Sequence, residues 1–185
     1  MVKTLNRLGP LPGDPTQAEL VARMIRVDQA GEFGAKRIYA GQIAVLGETE
    51  DGPLLREMAA TEERHLDRFN EMLAQRAIRP TALRPLWHIA GFALGAGSAL
   101  LGREAAMACT VAVEEVIEEH YQGQSEALGD TEPELKAVID EFRTDEIGHK
   151  QSALAAGAEN APAYPLLSAA VKTGSRLAIW LSERI

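Results

Sequence analysis

The chain is short of cysteine, of basic residues and of any strongly apolar run long enough for a membrane span. Its single cysteine, Cys109, excludes an internal disulfide and any paired-cysteine metal knuckle or redox couple. Basic residues number 19 against 27 acidic, a net charge of −8, so the positive surface that non-specific nucleic-acid binding needs is missing. The N-terminal stretch MVKTLNRLGPLPGDP has no apolar h-region, which argues against a secretory signal and for a cytoplasmic protein. The longest uncharged run, PLWHIAGFALGAGSALLG at 85–102, is 18 residues with four glycines and His88. A spanning helix wants about 20 strongly apolar residues, so this run reads as interfacial or buried. No alternating apolar-polar pattern competes with helical periodicity, and the chain reads as all-α.

What is present is clear helix punctuation in 185 residues, a length expected to make one domain (1–185). Thr16 and Glu19 have the spacing of a capping box after Pro15, and a periodic apolar run follows to Leu46 (16–46). Asp51-Gly52-Pro53 opens a second helix that Pro80 is expected to close (53–79). A third long helix reads as 103–128. Thr131, Pro133 and Glu134 open a fourth (131–156) with a second capping box expected. The glycine-rich run fills the long link between the second and third helices, and 163–184 reads as a last amphipathic helix. Helices of this length are roughly 40 Å long by their rise per residue. Four such helices with one long crossover are the layout of a ferritin-like four-helix bundle.

Two of the four histidines, His65 and His149, sit in Glu-x-x-His: Glu62 to His65 and Glu146 to His149. Residues three apart share a helix face, so each pair can bind one metal or two adjacent metals. Glu32 lies 30 residues before Glu62, and Glu114 lies 32 before Glu146, which brings the carboxylates to similar height in two helical hairpins. Tyr39 and Tyr121 each follow their own helix's Glu by seven residues, on its face. Four carboxylates converging in a core repel one another and are costly to desolvate unless neutralised. Two divalent cations balance them, and oxygen ligands with two imidazoles suit iron or manganese. The expected ligands are Glu32, Glu62, His65, Glu114, Glu146 and His149, the di-iron carboxylate pattern of ferritin-like bundles. Glu118, one turn after Glu114, is a competitor that could also point inward. Glu63, Glu115 and Glu119 read as solvated or supporting charges. Asp28 and Asp145 are candidates to accept the free ring N–H of a ligand histidine. His120 reads as a proton or electron relay beside Tyr121, or as an exposed polar residue. Cys109 reads as a small buried hydrophobe.

Three stretches carry a resemblance: MIRVDQAGEFGAKRIYAGQ at 24–42, ACTVAVEE at 108–115 followed by His120-Tyr121, and Phe142-Arg143, Asp145-Glu146 and His149. Over about residues 20–155 the chain resembles the demethoxyubiquinone hydroxylase family, di-iron monooxygenases of ubiquinone biosynthesis. The resemblance implies the same six ligands. It also implies two iron ions, O2 as co-substrate, NADH as reductant, and hydroxylation of the quinone ring of a polyprenylated demethoxyubiquinone. The pair His120 and Tyr121 matches one proposed in that family to pass electrons to the irons. The start of the chain close to the bundle, without a transit peptide, looks like a bacterial version. No Rossmann fingerprint is present, since Gly95-x-Gly97 follows no strand and lacks the third glycine, so any nucleotide binds another way.

A polyprenyl tail implies contact with a bilayer, expected at the cytoplasmic face of the inner membrane as a peripheral association. Two segments fit: 86–101, and the last helix, with Leu166, Leu167, Ala170, Val171, Gly174, Leu177, Ala178 and Leu181 on one stripe and Lys172 and Arg176 opposite. Trp87 and Trp180 suit headgroup depth. The resemblance adds a lipid-binding accessory protein as partner, and the apolar surface also suits a homo-oligomer. The alternative function is ferritin-like iron storage or ferroxidase activity, which gives no reason for the apolar crossover or the basic amphipathic tail. A rubrerythrin-like peroxidase wants a cysteine-bound iron that one cysteine cannot supply. A manganese catalase uses similar ligands and is not separated by sequence.

Overall fold

Thr16 caps the first helix. Its hydroxyl accepts from the Glu19 N–H at 3.2 Å and its own N–H donates to the Glu19 carboxylate at 2.8 Å, so the expected capping box closes. The computed structural model describes residues 14–185, and the stretch examined above for a secretory signal lies almost wholly outside the described residues. Six α-helices follow: α1 (Gln17–Leu46), α2 (Gly52–Gln75), α3 (Arg84–Leu100), α4 (Arg103–Leu128), α5 (Pro133–Ala155) and α6 (Tyr164–Ser182), with a 3-10 turn at Ala158–Asn160. Among the described residues there is no strand. The helices α1, α2, α4 and α5 form the ferritin-like bundle. Outside it, α3 lies along α1 and α6 lies along α4, so each half of the chain repeats one layout.

Glycine explains how α3 lies so close. A Cβ on Gly95 would stand 1.9 Å from the Ile38 carbonyl oxygen, and one on Gly41 would stand 2.3 Å from that of Phe92. Backbone therefore meets backbone, and a side chain at either place would force the helices apart. Arg37 and Arg84 lay their guanidinium groups over the rings of Phe92 and Phe33, 5.1 and 4.8 Å from the centroids.

Charge sets the seat of α6. Lys172 and Arg176, expected on a free basic face, are ion-paired to Glu115 and Glu119 of α4. At its far end the Trp87 indole N–H donates to Ser182 at 3.0 Å. The Ile185 carbonyl accepts from the Thr81 hydroxyl at 2.9 Å. The chain end is thus tied to the α2–α3 link.

Two helix ends depart from expectation. Helix α2 stops at Gln75 rather than running to 79. Ala77 takes φ +52°, the Ile78 N–H reaches back to Leu73 O at 2.9 Å and the Ala77 N–H to Ala74 O at 3.3 Å. These are the two bonds of a Schellman motif, closed here without the usual glycine. At α5 the second capping box does not form. The Thr131 hydroxyl donates instead to Leu128 O at 2.7 Å, and the Glu134 carboxylate takes Arg68 at 2.8 Å.

The core has two apolar layers. Ile25, Phe69, Ile117 and Phe142 belong to one, and Tyr39, Met58, Val111 and Ala153 to the other. Each bundle helix contributes to both, and its predicted ligand lies between its two contributions. Fully burying a Phe or Met side chain stabilises by about 1.5–3 kcal/mol, which is what holds a charged layer inside.

Candidate metal centre

The six predicted ligand residues meet in that middle layer. Glu32 comes from α1, Glu62 and His65 from α2, Glu114 from α4, and Glu146 and His149 from α5. All are buried, His149 being the most exposed at 8%. They form two overlapping groups, Glu32, Glu62, His65 and Glu146, and Glu62, Glu114, Glu146 and His149, whose ligand atoms lie within 4.8 Å of one another. Glu62 and Glu146 belong to both groups, so their carboxylates are placed to span two positions. His65 turns Nδ1 inward, 3.2 Å from Glu146 Oε1 and 3.5 Å from Glu32 Oε2. His149 turns Nδ1 inward as well, 3.1 Å from Glu62 Oε1 and 3.2 Å from Glu146 Oε2.

Electrostatics marks the cluster as incomplete without a cation. Burial, then the neighbouring Glu146 carboxylate, pushes Glu62 and Glu114 well above the usual carboxylate range. Burial acts the same way on Glu146, but the facing His149 and His65 rings outweigh it and hold that carboxyl at about 2. Burial pulls His65 down, yet the Glu146 and Glu32 carboxylates facing its Nδ1 win and raise it to about 10. Both oxygens of Glu62, and Glu32 Oε2, Glu114 Oε2, Glu146 Oε1 and His65 Nδ1, are buried without a hydrogen-bond partner. Such orphaned acceptors are costly unless an ion takes them. Carboxylate oxygens with two imidazole nitrogens fit a pair of iron or manganese ions.

The tyrosines reach across the bundle. Each lies on the face expected from its spacing, but Tyr39 donates to Glu114 at 2.6 Å and Tyr121 donates to Glu32, each serving the other half's carboxylate. Burial, followed by the partner carboxylate, raises both phenols well above their ordinary value, so both stay protonated donors.

Neighbouring acids sort themselves by partner. Glu118 does not join the cluster; Lys150 and Arg143 of α5 hold it. Glu63 pairs outward with Lys36. Asp145 does receive a histidine ring nitrogen, His65 Nε2 at 3.0 Å, across the bundle rather than along its own helix. Asp28 meets no ligand histidine. The Gln124 amide nitrogen lies 2.8 Å from both Asp28 Oδ1 and His120 Nε2, and His120 Nε2 lies 3.4 Å from Asp28. Burial lowers His120, but the bond to Asp28 outweighs it and raises the ring above its ordinary value. Cys109 is fully buried, and burial pushes its thiol up to about 12.

Sequence reading missed an apolar cavity of about 330 Å3, walled by α1, α3, α4 and α6, whose lining includes chain neighbours of Glu32 and Glu114 but none of the six cluster residues. Gly31 and Ala35 line it on either side of Glu32, and Val113 and Ile117 on either side of Glu114. Trp87 and Ile179 complete its lining from α3 and α6. The available signal was Gly31, Gly34 and Gly174, where a Cβ would find nothing within 4 Å.

Comparison with known proteins places this arrangement. Residues 19–182 match the family described as "Ubiquinone biosynthesis protein COQ7". A 3-demethoxyubiquinol 3-hydroxylase of Rhodospirillum rubrum is 58% identical over 176 residues, covering 95% of this chain and 83% of that protein. A mitochondrial NADPH-dependent 3-demethoxyubiquinone 3-hydroxylase of Homo sapiens is 53% identical over 169 residues, covering 89% and 78%. A mitochondrial 5-demethoxyubiquinone hydroxylase of Saccharomyces cerevisiae is 42% identical over 186 residues, covering 91% and 80%.

Proposed function

Because the chain belongs to the COQ7 family of ubiquinone biosynthesis proteins, we propose that it is the 3-demethoxyubiquinol 3-hydroxylase of its organism, an O2-dependent di-iron monooxygenase. Its substrate is a polyprenylated demethoxyubiquinone in the reduced form, which gains a ring hydroxyl. The observation that carries this reading is an apolar cavity whose walls include the chain neighbours of two cluster residues, Glu32 and Glu114. An iron-storage protein needs the cluster but has no use for the cavity.

Glu32, Glu62, His65, Glu114, Glu146 and His149 would hold the two ions, with Glu62 and Glu146 common to both groups of ligand atoms. When bound, two iron ions supply the redox chemistry that activates dioxygen. The protein does the rest. The walls at Ala35, Val113 and Ile117 give an apolar ring a water-poor seat. Tyr39 and Tyr121 keep their protons and fix the carboxylate oxygens they donate to. His120 is the relay group, with a side chain 19% exposed on one side and Asp28 on the other. Asp28 in turn stands one helical turn from Glu32. Electrons come from a reduced nicotinamide nucleotide. The family resemblance implies NADH, whereas several mitochondrial relatives, that of Homo sapiens among them, are named for NADPH.

The prenyl tail leaves between α3 and α6, whose outer faces expose Leu86, Ile89, Leu166, Leu177 and Trp180. No helix among the described residues is long and apolar enough to cross a membrane. The two helices lie on the cytoplasmic face of the inner membrane as a peripheral contact, a surface shared with a lipid-binding accessory protein or a second copy of the chain. Trp180 serves at headgroup depth. Trp87 is committed to Ser182 and the cavity wall.

The test is mass spectrometry of the quinone pool in cells lacking the gene, complemented by wild type or by Glu114→Ala. A quinone lighter by one methoxy group should accumulate, and only wild type should restore ubiquinone. An unchanged pool in cells with no second hydroxylase overturns the reading.

A further inference from the structure

His65 and His149 occupy equivalent places in the two halves, yet they are not held equally. The Nε2 of His65 is bonded to Asp145 Oδ2 at 3.0 Å, and its ring lies flat on Phe142, centroids 3.8 Å apart and planes at 20°. The Nε2 of His149 has no hydrogen-bond partner among the described residues, and its ring meets Tyr39 only edge-on at 6.1 Å. The sequence shows the same asymmetry. Asp145 precedes Glu146, whereas the residue that precedes Glu62 is Thr61, whose hydroxyl accepts from Arg64 at 3.3 Å.

Ligand type does not separate the two positions, since each offers three carboxylates and one imidazole. The support behind the imidazole does. A carboxylate on the outer ring nitrogen keeps the proton there, leaves the inner lone pair free, fixes the ring plane and strengthens the ligand, an effect typically of 10–100-fold in metal affinity. Stacking on Phe142 removes the remaining rotation of His65.

We infer that Asp145, acting through His65 as a positioning residue, makes the Glu32/His65 position take up a divalent ion before the Glu114/His149 position does. The centre fills in order. The less supported position is also the more open one, the His149 side chain being 11% exposed against 0% for His65. This rests on the two-metal reading above.

The test uses the full chain freed of metal by chelation, with 15N-labelled histidine, titrated with diamagnetic Zn(II), which shifts only the ring nitrogen it binds. Up to one equivalent, the ring signals of His65 should shift ahead of those of His149. Calorimetry should resolve two steps, and Asp145→Asn should weaken the first by about 10–100-fold while moving the second far less. Asp145 is 36% exposed at its side chain, so the variant is expected to fold, and its metal-free melting curve checks this. Should it fail to fold, the order of the shifts in the wild type still decides. A shift of His149 first, or of both together, overturns the inference. Equal weakening of both steps in Asp145→Asn does so too. Uptake of fewer than two ions per chain removes the two-metal reading itself, whereas two ions taken up without order remove only the inference.

Discussion

The hydroxyl of Tyr39 donates a 2.6 Å hydrogen bond to Oε1 of Glu114, a residue 75 positions further along the chain. The other oxygen of that carboxylate is a buried orphan in the metal-free fold. Tyr39→Phe leaves the whole group without a donor while keeping the ring volume. The metal-free protein should lose about 1–3 kcal/mol in urea denaturation. The loss should shrink when Mn(II) is present to occupy the carboxylate. An equal loss with and without metal would count against the site geometry.

Metal-free stability should fall as pH rises from 5 to 9. Burial raises Glu62 and Glu114, so the native state keeps protons that the unfolded chain releases above about 4.5. His65, raised to about 10, acts in the same direction, because the unfolded ring loses its proton above about 6.5. Glu146, lowered to about 2, contributes stability above its ordinary 4.5 that is lost only at lower pH, outside this window. Added Mn(II) replaces the missing protons, so its stabilising effect should be larger at pH 8 than at pH 6. Melting curves with and without metal across the range measure both trends, and a metal-free Tm that climbs with pH refutes them.

Two alanine substitutions in α3 should have opposite signs. Gly95→Ala places a Cβ 1.9 Å from Ile38 O and should cost about 1–3 kcal/mol or more. Gly97→Ala meets nothing within 4 Å and should gain roughly 0.5–1 kcal/mol from helix propensity. Paired chemical denaturation curves decide whether α3 packs through glycine.

Ala77→Gly should stabilise by up to about 1 kcal/mol, because alanine at φ +52° carries a left-handed penalty that glycine does not. Ala77→Val, β-branched at the same φ, should destabilise. The difference between the two is read in thermal melts.

Gly34→Leu should fill part of the cavity, since nothing lies within 4 Å of its Cβ position. Hydroxylase kcat/KM should fall at least about tenfold, close to 1.4 kcal/mol of lost transition-state binding. Metal stoichiometry should stay at the wild-type value. Loss of metal together with activity would show a collapsed site rather than a blocked cavity.

The sequence made helix faces legible and left partners across space obscure. Glu32, Glu62, His65, Glu114, Glu146 and His149 could be grouped because four carboxylates at matched heights demand a common solution. Seven-residue spacing placed Tyr39 on the face of Glu32 but could not say that it would bond Glu114 instead. Glu118 was ambiguous until Lys150 and Arg143 appeared beside it, and Lys172 and Arg176 looked free until α4 brought Glu115 and Glu119. The end of α2 was misplaced because an alanine does the work of a glycine there. The cavity was invisible because empty space is a property of four walls, not of any one helix.

Each half of the chain runs carboxylate helix, Glu-x-x-His helix, outer helix, yet neither half is chemically self-sufficient. Tyr39 serves the second half's Glu114, Tyr121 the first half's Glu32, and both metal groups draw on both Glu-x-x-His motifs. Two copies of one half, joined about a twofold axis, would regenerate the same ligand set, but a lone half could not hold either ion. Occupancy of the centre is therefore a readout of mating between the halves. An ion seated at either position certifies that residues far apart along the chain have found one another.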